Sequence, residues 1–196
     1  MKKALLIVSV LMVAVISTAC INNIAVQELN NKAAEYMQKG DYEAAMSRLQ
    51  ASIDLDNTMY QTYYNLGVAS INANKYDKAI EALESGLKLN PNFADFYYSL
   101  GVAQIGLADD IYEKATMDEE SEDVDKNVID KIKRDVTAEE KENVISLKAG
   151  AVENLNTYLR KVPATADKES ILSMIKQCED FIEEANKGTL FSQAKE

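Results

Sequence analysis

Histidine is absent from the 196 residues. With it go the commonest general base and the commonest metal ligand at neutral pH. A serine triad, a cysteine–histidine pair, an HExxH zinc site and a two-histidine iron site are therefore excluded. Glycine and proline are scarce, seven and two. The glycines stand singly, so no glycine-rich phosphate loop is formed, and with Ala, Leu, Glu and Lys abundant the composition suits an all-helical chain. Bases are outnumbered by acids, 21 to 32, for a net charge of −11. A surface this acidic repels phosphate backbones, which argues against nucleic acid and against binding anionic lipid by charge alone; basic partners suit it better. Carboxylate pairs such as Glu119 and Glu120 lie in charge runs that read as solvated faces, and nothing marks the two-carboxylate cleft of a glycosidase. No enzymatic activity, cofactor or metal is expected.

What is present begins with an address. Lys2 and Lys3 precede an apolar run from Ala4 to Ile16, and the small residues Ser17, Thr18 and Ala19 lead into Cys20. This is the layout of a secretory signal, and Ala4 to Ala19 falls short of the ~20 apolar residues a spanning helix needs. A cysteine directly after that small-residue site resembles the lipobox of bacterial lipoproteins. The resemblance implies a signal peptide over 1–19, a diacylglycerol on the Cys20 thiol, and a tether over 20–25. Ile21 is not the aspartate that retains lipoproteins in the inner membrane of enteric bacteria. The resemblance thus places the protein on the outer membrane facing the periplasm if the source has one, and otherwise on the outer face of the plasma membrane.

After the tether the chain repeats itself. A shift of 34 places lays Tyr63, Tyr64, Leu66, Gly67, Val68 and Ala69 on Tyr97, Tyr98, Leu100, Gly101, Val102 and Ala103. The reverse shift lays Tyr76, Ala79, Leu83 and Leu89 on Tyr42, Ala45, Leu49 and Leu55. A period of this size marks an architecture in which one helical pair cannot bury its apolar face alone. Tyr63, Leu66, Gly67, Ala79, Leu83 and Pro91 resemble the tetratricopeptide repeat pattern, departing from it at Ser70, where an aromatic is usual, and at Gly86, where alanine is usual. The resemblance implies an all-α, right-handed solenoid of about three helix pairs, 26–59, 60–93 and 94–163, with Gly67 and Ala79 small at the helix crossing. Asp41 is the expected N-cap of one helix, and Thr58 with Gln61 the expected capping box of the next.

The third pair is interrupted. The second-helix signature returns only as Ala151, Leu155, Leu159 and Pro163, which leaves a long insertion at about 108–145. Between Asp109 and Lys141 thirteen acids face six bases. Ile111, Tyr112 and Ala115 extend the preceding helix, Thr137 and Glu140 form a capping box for the following one, and Val128, Ile129 and Ile132 suggest a short amphipathic turn between. The stretch Met117 to Asp125 reads as a solvated acidic tip and lacks the glycine and terminal glutamate of a calcium loop. Beyond it, 166–187 carries Ile171, Ile175, Cys178 and Ile182 on one face and is expected to cap the array, with Cys178 a small core residue; 188–196 reads as a flexible tail.

In this family the first helix of each pair lines a concave groove. The resemblance assigns to it Asn30 and Met37, then Tyr64, Val68, Ile71 and Asn72, then Tyr98, Val102 and Ile105. No basic residue stands on these faces, so the carboxylate clamp of chaperone-binding members is not expected. The functional expectation is a membrane-anchored envelope lipoprotein acting as a protein-interaction scaffold or adaptor for other envelope proteins or peptides. The alternative is a periplasmic small-ligand-binding or transporter accessory protein with a closed pocket. The partner and the oligomeric state are not encoded in any motif.

Overall fold

A computed structural model describes residues 23–116 and 136–188. Among them every regular element is an α-helix: α1 (23–38), α2 (Tyr42–Leu55), α3 (Tyr60–Asn72), α4 (Tyr76–Leu89), α5 (Asp95–Thr116), α6 (Ala138–Lys161) and α7 (Lys168–Lys187). The chain forms two compact units, Met1–Phe93 and Ala94–Glu196. The expected signal segment with Cys20, the expected acidic tip with Val128, Ile129 and Ile132, and the residues after Gly188 fall outside the described residues.

In the first unit, Ala33, Ala45, Met46, Leu49, Ile53, Leu66, Ala69 and Ala82 form one buried cluster. The period predicts which positions go inside: Ala45 and Ala79 are fully buried, as are Leu49 and Leu83. Small residues set the helix approach. A Cβ on Gly67 would lie 2.4 Å from Leu83 Cγ, closer than any real contact, so α3 and α4 cross with the glycine backbone against that side chain.

The turns repeat too. Gly40 and Asn74 stand one repeat period apart, and both adopt left-handed backbone, with φ of 74° and 55°. After each, the next residue's N–H reaches back to a carbonyl of the preceding helix: Asp41 N to Tyr36 O at 3.0 Å, Lys75 N to Ser70 O at 2.8 Å. This six-to-one closure is the Schellman stop, which favours glycine and tolerates asparagine. Gly40→Ala is therefore expected to cost about 1–2 kcal/mol, the penalty of a side chain in left-handed backbone, whereas Asn74→Gly should change stability little. Urea melts of the two variants give the comparison.

Helix starts follow the sequence with one correction. Asp41 caps α2 by accepting from Ala44 N at 3.1 Å. Thr137 and Glu140 cap α6 as a reciprocal box, Thr137 N donating to Glu140 Oε2 at 3.0 Å and Glu140 N to Thr137 Oγ1 at 3.2 Å. The Thr58–Gln61 box is not formed. The N-cap of α3 is Met59, without a side-chain cap. Asp56 wins Thr58 instead, accepting from its N–H at 2.9 Å and its hydroxyl at 2.6 Å. The two hydrogen bonds to Asp56 hold its carboxyl below the usual aspartate range.

The second unit shows what becomes of the repeat when its turn is lost. One period after Asn74 stands Ala108, which is fully buried within α5. With neither glycine nor asparagine there to stop it, α5 runs on to Thr116 and meets α6, which starts at Ala138. The two still cross as α3 and α4 do: a Cβ on Gly101 would lie 2.7 Å from Leu155 Cγ. Gly101 follows Gly67 by one period, whereas Leu155 follows Leu83 by a period plus the insertion. The crossing is kept, and the inserted segment goes into the helix ends and their connection. Helix α7 packs its Ile171, Ile175 and Cys178 inward. Burial pushes the Cys178 thiol up, and Lys148 opposes that shift only in part. Cys178 is thus a core residue, as the helical stripe predicts.

Candidate interaction surfaces

The first helix of each pair, α1 and α3, bounds a hollow of about 300 Å³ lined by Gln27, Asn30, Asn31, Met59, Gln61, Thr62 and Asn65. Five of these seven side chains are carboxamides and none is charged. Asn30 is partly committed: its Nδ2 donates to Ser52 Oγ at 2.7 Å and to Val26 O at 2.9 Å, which braces α1 against α2. Gln27 donates to Asn23 Oδ1 at 3.0 Å. The carboxamides of Asn31, Gln61 and Asn65 make no hydrogen bond among the described residues. Each offers two donors and an acceptor, the groups needed to pair with the N–H and C=O of another peptide chain. The Thr62 hydroxyl is buried without a partner, as is that of Ser70.

Of the predicted groove residues, Asn30 alone lines this hollow. Met37 packs against the buried cluster of the first unit. Tyr64 stands edge-on to Phe93 at 5.1 Å between ring centroids. Val68 and Ile71 are half-buried, and the exposed Asn72 turns its amide back to Val68 O at 2.8 Å. In the second unit Tyr98 and Ile105 pack against Leu155, Ile171 and Ile175, so residues of α7 already occupy part of that face. Tyr98 also stacks at a tilt on Tyr158, 5.4 Å away. Desolvation first, then Asp167 and Tyr158, raises its hydroxyl above the usual tyrosine range. Val102 is half-buried beside them.

The sequence reading missed most of the hollow, although the signal was there. Gln27 and Asn31 lie one helical turn apart, and one period later Gln61 and Asn65 repeat the pair. It missed a second cavity as well. Between α2 and α4 an open cleft of about 570 Å³ runs over Met46, Ile53, Tyr63, Leu66 and Ala82, with Glu43, Gln50, Lys78 and Glu81 at its rim. This cleft lies against the second helices of the pairs and is open to solvent.

Another missed feature is Lys148, buried on the inward stripe Val144, Lys148, Ala151, Leu155 of α6. Its ammonium meets Asp109 Oδ1 at 2.6 Å and lies 4.8 Å from the centre of the Phe181 ring.

Residues 36–105 match the family model described as tetratricopeptide repeat. No curated protein matches the chain. Among solved structures, the chain is similar to the first tetratricopeptide repeat domain of Spaghetti (RPAP3) bound to an HSP90 peptide, SRMEEVD. Identity is 13%, 81% of this chain and 93% of that one are covered, and the TM-score is 0.56. It is similar also to the TPR2B domain of yeast Sti1 in a complex with pHsp70, at 16% identity over 81% of this chain and 98% of that one, with a TM-score of 0.56.

Proposed function

We propose, for a chain whose residues 36–105 match the tetratricopeptide repeat model, a scaffold of the bacterial cell envelope, held to the membrane by lipid on Cys20, that binds extended segments of other proteins. The observation that carries this reading is the row of free carboxamides between α1 and α3. An extended peptide exposes one N–H and one C=O per residue, and burying them unpaired would cost about 1–3 kcal/mol each. Asn31, Gln61 and Asn65 can satisfy them without regard to the ligand's side chains.

Charge then separates this protein from its structural neighbours. The HSP90 peptide held by Spaghetti ends in EEVD, which asks for bases in the groove. The hollow here has none, and the chain is acidic overall. The ligand is accordingly a neutral or basic segment, not an acidic chaperone tail. The membrane reading is supported by the signal-like leader and by Cys20 after Ala19.

The test is capture of the protein from its own envelope fraction in three forms: wild type, Cys20→Ala, and Asn31→Leu/Gln61→Leu/Asn65→Leu. Cys20→Ala should move the protein into the soluble fraction and lose the membrane-borne companions. The triple variant should stay on the membrane and lose its bound segment, with affinity for that peptide falling about tenfold or more, as unpaired polar groups imply. An unchanged companion set in the triple variant would remove the hollow from the function, and an unchanged fractionation of Cys20→Ala would remove the lipid.

A further inference from the structure

Exposed large apolar side chains are few among the described residues: Ile24, Leu55 and Leu89 in the first unit, and Leu172 in the second. The three in the first unit share a place. Asn30 and Ser52 meet at 2.7 Å, which sets α1 and α2 antiparallel at that height. Ile24 is then more than a turn further toward the start of α1, and Leu55 is the last residue of α2, at the same end. Past a short connection α3 begins with Tyr60, whose ring lies 5.4 Å from that of Phe93, just past the end of α4, where Leu89 sits. One edge of the unit therefore collects the starts of α1 and α3 and the ends of α2 and α4. On it Ile24 is 69% exposed, Leu55 44% and Leu89 45%.

Leu55 and Leu89 are the same position of successive repeats, so the exposure recurs with the period. The opposite edge, where α1 and α3 end, carries Gln38, Lys39, Asp41, Asn74 and Lys75 and no exposed large apolar side chain among the described residues.

The apolar edge is also the one the chain enters by. Residue 23 opens α1 there, close behind Cys20. So short a link spans at most about 10 Å, so a lipid on Cys20 would hold this edge, and no other part of the unit, at the bilayer. We propose that the edge formed by Ile24, Leu55 and Leu89 rests on the membrane, with the leucines at the boundary between headgroups and acyl chains. This rests on the lipid-anchor reading above and adds an orientation to it. No described helix is long and apolar enough to cross a membrane, so the contact is peripheral. Asp54, Asp56 and Lys88 at this edge form no basic cluster, so the attraction is apolar and does not select anionic lipid.

The orientation is read by attaching a fluorophore to the full-length lipidated protein at Asn92→Cys, on the apolar edge, or at Gln38→Cys, on the polar one. The buried Cys178 stays unlabelled. The carrier is phosphatidylcholine vesicles bearing a headgroup nitroxide. Quenching at position 92 should exceed that at 38 severalfold. Leu55→Asp/Leu89→Asp should weaken quenching at 92 and so narrow the difference, while the protein stays membrane-bound by its lipid and its thermal melt stays cooperative. In a form lacking the lipid, the same pair should weaken vesicle binding by about tenfold per leucine, the scale for burying about two methylenes of each half-exposed side chain. Equal quenching at the two positions of a membrane-bound protein overturns the orientation and leaves the anchor standing. A label at 92 shielded from aqueous iodide yet untouched by the lipid nitroxide overturns it in favour of a protein, a second copy included, on that edge. A full-length protein that does not associate with membranes overturns both readings.

Discussion

Gly67→Ala should lower the stability of the first unit by about 1–3 kcal/mol, the usual cost of overpacking, and Gly67→Leu by more. The added Cβ meets Leu83 at its branch point, 2.4 Å from Cγ and 2.5 Å from Cδ2. Leu83 is fully buried and the clash is at its branch point rather than its tip, so relief requires the leucine to leave its rotamer or α3 and α4 to move apart. Because the strain has a named partner, a double-mutant cycle can isolate it. Leu83→Ala alone should cost about 2–5 kcal/mol through the cavity it leaves. In that background Gly67→Ala should cost almost nothing, since the methyl enters the space the leucine vacated. Urea denaturation of the four proteins gives the coupling energy. If the two costs simply add, Gly67 does not face Leu83 and the pairing of α3 with α4 is wrong. Gly101→Ala should repeat the result against Leu155 in the second unit, where the corresponding approach is 2.7 Å.

That crossing is also the reason so much of the fold is legible in the sequence. Packing the backbone of one helix against a leucine on the next demands a small residue at the crossing, so Gly67 with Leu83 and Gly101 with Leu155 declare themselves by spacing alone, and the first repeat carries the small Ala33 at the same place. The insertion does not hide the second pair, because the demand is between helices and is indifferent to the length of the connection. Turn positions are legible for a related reason: left-handed backbone restricts residue choice to Gly40 and Asn74, and Ala108 at the third position announces that the turn is gone.

Where several groups could satisfy one requirement, the sequence was less informative. Thr58 and Gln61 have the spacing of a capping box, yet Asp56 is close by in the chain and its carboxylate is the stronger acceptor, so the local competition went to an Asx turn. Groove residues were harder still. Tyr98 and Ile105 sit on the predicted face of α5, but whether such a face is open depends on α7, and α7 follows no repeat pattern that would place it. Conversely, Asn31, Gln61 and Asn65 are hard to single out as a set, because single amides on a helix surface are ordinary. Only their recurrence with the period separates them from background.

Lys148 is the second site where a large effect is expected, and its origin can be divided between stem and charge. Lys148→Ala should cost about 2–4 kcal/mol. It removes an aliphatic stem from the α6 stripe between Val144 and Ala151, the ion pair with Asp109 and the ammonium on the Phe181 ring. Lys148→Met keeps the stem and discards the charge. Replacing a buried ionic partner by an apolar side chain of similar volume is often neutral, since the desolvation of the ammonium disappears with the attraction. Here the Asp109 carboxylate is 59% exposed and returns to water without loss, so Met should lie within about 1 kcal/mol of the parent. Asp109→Ala makes the opposite cut: it strands the ammonium against Phe181, itself edge-on to Tyr112 at 5.3 Å, and should cost about 1–2 kcal/mol. The expected order is parent and Lys148→Met highest, Asp109→Ala next, Lys148→Ala lowest, read from chemical denaturation at constant ionic strength. A Met variant as unstable as the Ala variant would show that the charge, not the stem, holds α5, α6 and α7 together at this point. The ion pair would then be a requirement of the lengthened helices and not a tolerated occupant of their core.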